Sequence, residues 1–340
     1  MKNFKKAILA GVVGVVMLGA SMAQAVDLNG AGSTFAYPAF SKWFYEYNKA
    51  TGTQVNYQSI GSGGGVQQFL SKTVDFGATD AFLTDDETQK AGGPALNLPV
   101  LLGAVCVTYN VPGVDTGLKL TSKVLADIYL GNITKWNDPA IAESNPDVTL
   151  PDLAINVAHR SDGSGTTNIF TNYLSKISTA WSVKAGWGKS VSWPVGVGGK
   201  GNEGVAGLVK QIPGSIGYVE LAYCIQNKMA YAKIRNKDGK FVEPTIEATT
   251  AAAAGALRKM PADYKIMITN ASGEESYPIC GFCWIVARVN QEDSAKGKTL
   301  VDLLNWVMDT GNPEVKDLMY APLPDSLVAK VKESVATIKF

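Results

Sequence analysis

The chain has 340 residues, with 31 lysines and arginines against 30 aspartates and glutamates, which gives a formal net charge of +1. This balance excludes a general affinity for nucleic acid or for an anionic membrane, so recognition of an anion must be local. A chain of this length usually folds around more than one hydrophobic core, so two domains are predicted.

The first 25 residues have the three parts of a secretory signal peptide. Lysines at positions 2, 5 and 6 form a basic start, residues 7–20 are largely apolar, and residues 23–25 (Ala-Gln-Ala) match a small-residue cleavage site. The apolar run is shorter than the ~20 residues that a membrane span needs. We therefore expect cleavage near Val26 and an exported, soluble mature chain with a charge of about −2.

A first strand-to-helix connection follows the cleavage site. Residues 27–35 lead from a predicted strand into a Gly-rich turn that contains Ser33, Thr34 and Phe35. A helix is predicted from about Pro38, because apolar side chains recur on one helical face: Phe40, Trp43, Phe44 and Tyr47. The turn therefore lies at a helix N-terminus, where unpaired N–H groups and the positive end of the helix dipole attract anions.

The same arrangement recurs in the next segment. Residues 54–60 predict a strand, the Gly-Ser-Gly-Gly-Gly run at 61–65 predicts a turn that includes Ser62, and a helical face follows: Val66, Phe69, Leu70 and Val74. In isolation such a run is more often a flexible connector. Its position between a strand and a helix favours a backbone nest for an anion.

Asp80 ends a short predicted strand at residues 75–81. A carboxylate at this position is commonly a cap for the next segment, and the alternative is that it accepts a hydrogen bond from a protonated ligand oxygen. An ionised carboxylate can only accept hydrogen bonds. Sulfate would leave a buried Asp80 unpaired, whereas hydrogen phosphate brings a proton.

Residues 159–167, His-Arg-Ser-Asp-Gly-Ser-Gly-Thr-Thr, connect a predicted strand at 153–158 to a helix that extends to residue 177. Arg160 supplies a planar fork of donors that suits an oxyanion. A structural interpretation is that Ser164 or Thr166 caps the helix and that the glycines shape the turn. For this segment alone both interpretations remain open.

Two further motifs have structural interpretations. Residues 196–201 fit G-x-G-x-x-G, but an exported protein has little access to dinucleotides, so we expect a Gly-rich turn before a helix at 202–211. The C-x-x-C pair at 280–283 precedes a strand-like run instead of opening a helix, which argues against an activated thiolate. We expect buried or structural cysteines, with three disulfide pairings open: Cys106, Cys224, Cys280 and Cys283.

Groups for catalysis are scarce. The sequence has no G-x-S-x-G elbow, and the single histidine, His159, should point to the face of its strand opposite Arg160. A metal-dependent phosphatase would need several Asp, His and Glu ligands. We expect binding without catalysis and without a metal ion or cofactor. The alternatives are an exported phosphoesterase and a binding protein for another tetrahedral oxyanion.

Seven segments in this order resemble the periplasmic phosphate-binding proteins of Pst-type ABC transporters: GAGSTF, NYQSIGSGGG, VDFGATDA, DIYLGNITKWNDPAI, HRSDGSGTT, WPVGVGGKGNEG and PGSIGYVE. The resemblance covers essentially the whole mature chain and is weakest near residues 240–280. It implies a two-lobed α/β periplasmic binding protein (type II-like) with hinge strands and an interlobe ligand cleft. It also implies two partners, inorganic phosphate and the permease subunits of a phosphate ABC transporter, and a monomer that binds no nucleic acid.

The resemblance also implies the domain limits and the ligand set. We expect a signal peptide at 1–25, lobe I at 26–106 plus 283–340, and lobe II at 107–282, with crossover strands at 105–111 and 284–288. By motif match, phosphate is held by nine residues: Thr34, Phe35, Ser62, Asp80, Arg160, Asp162, Ser164, Gly165 and Thr166.

In this motif match Asp80 accepts a hydrogen bond from the protonated oxygen of phosphate, and Asp162 orients Arg160. The chain departs from the family at two positions, with His159 where a second arginine is common and Gly63 where a serine is common.

Overall fold

A computed structural model describes residues 26–340, so the predicted signal peptide lies outside the described residues. Twelve strands form within this range: β1 (Leu28–Gly32), β2 (Val55–Ser59), β3 (Phe76–Thr79), β4 (Ala95–Asn110), β5 (Lys119–Leu120), β6 (Asn156–Arg160), β7 (Val197–Gly199), β8 (Ser215–Glu220), β9 (Ala230–Tyr231), β10 (Lys233–Arg235), β11 (Phe241–Val242) and β12 (Cys280–Arg288).

Thirteen α-helices form within the same range: α1 (Tyr37–Thr51), α2 (Ser62–Leu70), α3 (Asp85–Lys90), α4 (Ser122–Leu130), α5 (Pro139–Ala142), α6 (Gly165–Ile177), α7 (Thr179–Lys184), α8 (Gly201–Gln211), α9 (Leu221–Gln226), α10 (Ile246–Leu257), α11 (Ser294–Trp306), α12 (Asn312–Glu314) and α13 (Asp325–Val335). A π-helical turn at Val307–Gly311 and a 3₁₀ turn at Val315–Leu318 flank α12. None of the helices in the described part of the chain has both the length and the apolar character of a membrane span.

The main sheet has the strand order β2-β1-β3-β12-β4-β8-β6-β7, and its two ends are built mostly from parallel pairs. Strand β4 joins these ends. Its residues Ala95–Ala104 pair with β12, and its residues Val105–Asn110 pair with β8. One continuous strand therefore passes from one half of the molecule to the other, as a two-lobed α/β fold requires.

The two strands that were predicted to cross between the lobes are longer than predicted. Strand β4 begins ten residues before the predicted limit of 105, and β12 begins at Cys280 instead of 284. Both strands are buried along most of their length, and their sequences are continuous apolar runs. The alternation of apolar and polar residues that marks a half-exposed strand is missing, so the sequence does not show where these strands begin.

Helix α1 confirms the predicted amphipathic face, since its four predicted aromatic residues are all buried. Helix α11 likewise buries one apolar face, formed by Leu300, Leu303 and Leu304. The predicted turn at 61–65 is wrong, because α2 already begins at Ser62. Gly65 permits this packing: a Cβ at this position would lie 2.3 Å from Gly32 Cα of β1, so only glycine lets the helix sit this close to the strand.

The four cysteines confirm the expectation of buried thiols. Each is fully buried and free, and all lie in strands β4 and β12 or in helix α9. Burial raises the pKa of Cys280 to about 12, so this thiol stays protonated at neutral pH.

Candidate anion-binding site

The structure brings the nine predicted residues together at the carboxyl ends of parallel strands. Four strand-to-helix connections supply them: β1 to α1, β2 to α2, β3 to α3 and β6 to α6. Ligands of α/β proteins bind at this edge because helix N-termini converge there. The predicted residues on this edge are all largely buried: Thr34, Phe35, Ser62, Asp80, Arg160, Ser164, Gly165 and Thr166, with Asp162 partly exposed.

Asp80 is buried and held by two serine hydroxyls. Ser33 Oγ donates to Asp80 Oδ1 at 2.5 Å, and Ser62 Oγ lies 3.3 Å from Asp80 Oδ2. Burial raises the pKa of Asp80 from its ordinary value of 3.8 to about 6, although these hydrogen bonds and the Arg160 charge lower it. The cap alternative is wrong, because Thr84 forms the capping box of α3 together with Glu87.

Arg160 is fully covered and locked by one carboxylate. Its Nε donates to Asp162 Oδ1 at 2.7 Å and its Nη2 donates to Asp162 Oδ2 at 2.6 Å, which is a bidentate pair. Burial by itself would raise the pKa of Asp162, but the hydrogen bonds and charge of Arg160 hold it below its ordinary value. Nη1 points the other way, 3.3 Å from Thr166 Oγ1. Asp162 therefore fixes the plane of the guanidinium.

Five backbone N–H groups at these connections donate to no acceptor within residues 26–340. They belong to residues at or just before helix N-termini: Thr34, Phe35, Ser62, Gly165 and Thr166. All five residues are buried, and unpaired buried N–H groups are rare in folded proteins. Unpaired N–H groups at helix N-termini are groups to which anions bind in proteins.

Ser164 caps a helix in the structure. Its Oγ accepts from Thr167 N–H at 3.0 Å and so caps α6, as the structural interpretation predicts. A hydroxyl that accepts in this way keeps its own proton for a second partner. Capping and anion binding are therefore compatible at Ser164.

The site has two walls, one formed by the connections after β1, β2 and β3 and the other by the connection after β6, and these walls are in contact. Gly63 N–H donates to Gly163 O at 2.8 Å, and Lys189 pairs with Glu87 across the same cleft. A Cβ on Gly165 would lie 2.4 Å from both Asp80 Oδ2 and Ser62 Oγ. A Cβ at position 63 would lie 2.9 Å from Gly163 Cα, so glycine at this position allows the two loops to approach this closely.

His159 does not take part in the site. Its ring stacks on Trp193 at a centroid distance of 4.7 Å, which confirms that its side chain faces away from Arg160. The Gly-rich turn predicted at 196–201 is wrong in part, because Val197–Gly199 form strand β7 beside β6 and α8 already begins at Gly201. Residues 26–340 hold no cluster of three or more His, Cys, Asp and Glu side chains arranged to hold a metal ion.

Sequence reasoning missed several residues that shape the site. Asn202, the second residue of α8, donates from Nδ2 to Thr34 Oγ1 at 2.7 Å and to Thr166 Oγ1 at 3.1 Å. Tyr223 and Tyr320 hold the loop after β1 by donating to the carbonyl oxygens of Thr34 and Phe35, each at 2.6 Å. The only signal for Asn202 was its place in a Gly-rich segment.

This architecture is that of a two-lobed α/β binding protein, and a family model described as a PBP superfamily domain matches residues 19–309. The phosphate-binding protein PstS of Xylella fastidiosa (strain 9a5c) is 48% identical over 314 residues, which cover 92% of this chain and 86% of the relative. That of Pasteurella multocida (strain Pm70) is 47% identical and covers 91% and 90%. The chain therefore belongs to the PBP superfamily and, within it, to the PstS family.

Solved structures show the same fold at low sequence identity. A high-affinity periplasmic phosphate-binding protein, PfluDING, bound with phosphate, aligns with a TM-score of 0.72 and 19% identity, covering 91% of this chain and 93% of that chain. An ancestral soluble variant of the human phosphate-binding protein aligns with a TM-score of 0.71 and 21% identity, covering the same shares. These matches confirm the two-lobed α/β fold, and the relatives' names agree with binding without catalysis.

Proposed function

We propose that this protein binds inorganic phosphate between its lobes and delivers it to the permease subunits of a phosphate ABC transporter. The PstS relatives support phosphate as the ligand. In this proposal residues 1–25 are a cleaved signal peptide, the mature protein works in the periplasm, and it acts as a monomer. The periplasmic phosphate-binding protein with the same fold supports the location.

The observation that carries the proposal is the set of five buried, unpaired backbone N–H groups beside Arg160. Removing an oxyanion from water is costly unless each of its oxygens finds hydrogen-bond donors in the protein. The site offers these backbone donors together with the hydroxyls of Thr34, Ser164 and Thr166 and the Nη1 of Arg160, whereas the Ser62 hydroxyl donates to Asp80. A tetrahedral oxyanion has enough acceptor oxygens to use a donor set of this size.

We assign one role to each predicted ligand residue. Thr34 and Phe35 bind through backbone N–H groups, and Thr34 adds its hydroxyl. Ser62, Ser164, Gly165 and Thr166 bind from the starts of α2 and α6, through hydroxyls, backbone N–H groups or both. Among these nine residues Arg160 supplies the only cationic donor, and Asp162 holds the plane of its guanidinium group.

Asp80 selects phosphate over sulfate in this proposal. Above a pH of about 6 its carboxylate is ionised and can only accept. Ser33 and Ser62 occupy part of its acceptor capacity, and a protonated phosphate oxygen adds a further donor. Sulfate carries no proton at neutral pH, so its oxygen would face a buried carboxylate without a hydrogen bond between them.

We propose that lobe I comprises residues 26–106 and 283–340 and that lobe II comprises residues 107–282. The pairing of β4 supports a boundary near 105, where its partner changes from β12 to β8. The ligand would enter when the contact between Gly63 and Gly163 opens and would be enclosed when it re-forms.

The test is binding by mature protein that has been unfolded, dialysed free of ligand and refolded. In isothermal titration at about pH 7.5, well above the Asp80 pKa, we expect one phosphate per chain and no measurable heat from sulfate. Circular dichroism before and after refolding checks that the fold has returned. Equal binding of both anions would refute the role of Asp80, and no binding of phosphate would refute the proposed function.

A further inference from the structure

Asn202 is a fully buried amide that links the two walls of the site. It lies at the start of α8, and its Nδ2 contacts Thr34 Oγ1, after β1, and Thr166 Oγ1, at the start of α6. Its backbone N–H also donates to Thr34 Oγ1 at 3.2 Å. No other side chain in the described part of the chain hydrogen-bonds to both of these threonines.

Counting lone pairs shows what these contacts do to the two hydroxyls. A threonine hydroxyl has one proton to donate and two lone pairs to accept with. Thr34 Oγ1 accepts from the backbone and from the side chain of Asn202, so both lone pairs are occupied. Thr166 Oγ1 accepts from Asn202 Nδ2 and from Arg160 Nη1, so its lone pairs are occupied as well.

The orientation of the Asn202 amide is fixed by the backbone. Glu220 N–H donates to Asn202 Oδ1 at 3.0 Å. A backbone N–H can only donate, so it selects the oxygen end of the amide and turns Nδ2 towards the threonines. Each of the two Nδ2 protons then has one threonine as its acceptor, and every polar atom of the Asn202 side chain is satisfied.

We propose that Asn202 is a positioning residue that turns the hydroxyls of Thr34 and Thr166 into obligate donors. This inference rests on the proposed phosphate function. With both lone pairs occupied, each hydroxyl has only its proton left, and neither donates that proton to a residue in 26–340. The proton therefore faces the bound oxyanion.

A second consequence concerns the proton of the ligand. A hydroxyl that cannot accept gives no partner to a protonated phosphate oxygen, so the protonated oxygen is rejected from the side of Thr34 and Thr166. Asp80 is then the acceptor left for it, because its carboxylate accepts and does not donate when ionised. Asn202 thus fixes which oxygen of the phosphate carries the proton.

The test is a double-mutant cycle on refolded, phosphate-free protein, with phosphate affinity measured by equilibrium dialysis. We expect Asn202→Ala to weaken binding by about 10- to 100-fold, because hydrogen bonds to a charged ligand are lost. In a Thr34→Val, Thr166→Val background the same substitution should change affinity by less than about threefold, because its targets are absent. A purely structural role would give the same loss in both backgrounds.

Two further variants keep the result interpretable. Asn202→Asp has nearly the same shape and still accepts from Glu220 N–H, but its second oxygen accepts the threonine protons, so we expect a loss at least as large as with alanine. Asn236→Ala removes another buried asparagine, whose Nδ2 donates to the carbonyl oxygens of Gly273, Glu274 and Ser276, and should lower the melting temperature without changing affinity.

The outcomes separate the two proposals. If the wild-type protein binds no phosphate, the proposed function fails and this inference fails with it. If the wild-type protein binds phosphate, but Asn202→Asp binds it equally well or Asn202→Ala weakens binding equally in both backgrounds, only the inference about Asn202 is overturned.

Discussion

Replacing Asp80 with asparagine isolates the cost of keeping a carboxylate in the site. The substitution keeps the size of the side chain and one acceptor oxygen for the Ser33 hydroxyl, and its new amide group can donate to Ser62 Oγ. It removes the charge that burial disfavours. We expect phosphate-free Asp80→Asn protein to be more stable than wild type at neutral pH, although it lacks the acceptor for the phosphate proton.

The size of this gain follows from the pKa. Burial raises the pKa of Asp80 from 3.8 to about 6, and each pKa unit corresponds to about 1.4 kcal/mol, so the ionised carboxylate lowers the free energy of unfolding by about 3 kcal/mol. Because the folded pKa is the higher one, the folded state holds the proton more tightly. The wild-type protein therefore loses this stability as pH rises from about 4 through 6.

Urea denaturation of both proteins without phosphate, at several values between about pH 4 and pH 8, measures this difference. We expect the two proteins to be equally stable near pH 4 and the variant to gain most of its advantage by pH 7. A stability difference that stays constant across this range, or a wild-type protein that is more stable at neutral pH, would refute the argument from burial.

Three other substitutions or treatments test separate features of the site and core. Arg160→Met should weaken phosphate binding by at least about 100-fold in isothermal titration, because it removes Nη1 and leaves Asp162 without its partner. Gly165→Ala should weaken it by at least about tenfold, since the new methyl group would lie 2.4 Å from Asp80 Oδ2 and Ser62 Oγ. Gly207→Ala on α8, where an added Cβ meets no atom within 4 Å, is the matched control and should bind normally. Fewer than one thiol per native chain should react with a chromogenic disulfide reagent, and all four should react in denaturant; fewer than four would reveal a disulfide.

The local parts of the site were predictable because each follows from a short pattern. The turns after β1 and β6 and the end of β3 are marked by a change from strand to helical spacing, with glycines and hydroxyls between. The start of α2 was not predictable in this way. Glycine disfavours helices, and only the close packing of Gly65 on β1, a tertiary contact, shows why three glycines form its first turn.

Asn202 was missed for a different reason. Its partners Thr34 and Thr166 lie 168 and 36 residues away along the chain, and no spacing rule connects positions that far apart. Tyr223 and Tyr320, which hold the loop after β1, lie even farther from their partners, at 189 and 285 residues along the chain. Short motifs therefore identified the loops of the candidate site and the local Arg160–Asp162 pair, whereas partners distant in sequence, such as Asn202, were visible only in the fold.

The pairing of Arg160 with Asp162 has a consequence for the conditions under which the protein works. That pair carries no net charge, and ionised Asp80 makes the site itself negative. Attraction then comes from short-range dipoles enclosed by the lobes, which dissolved ions screen poorly, and not from a long-range field. Raising NaCl from about 0.05 M to about 1 M should change the dissociation constant by less than about threefold. Phosphate binding by this protein would then be insensitive to the salt content of its surroundings.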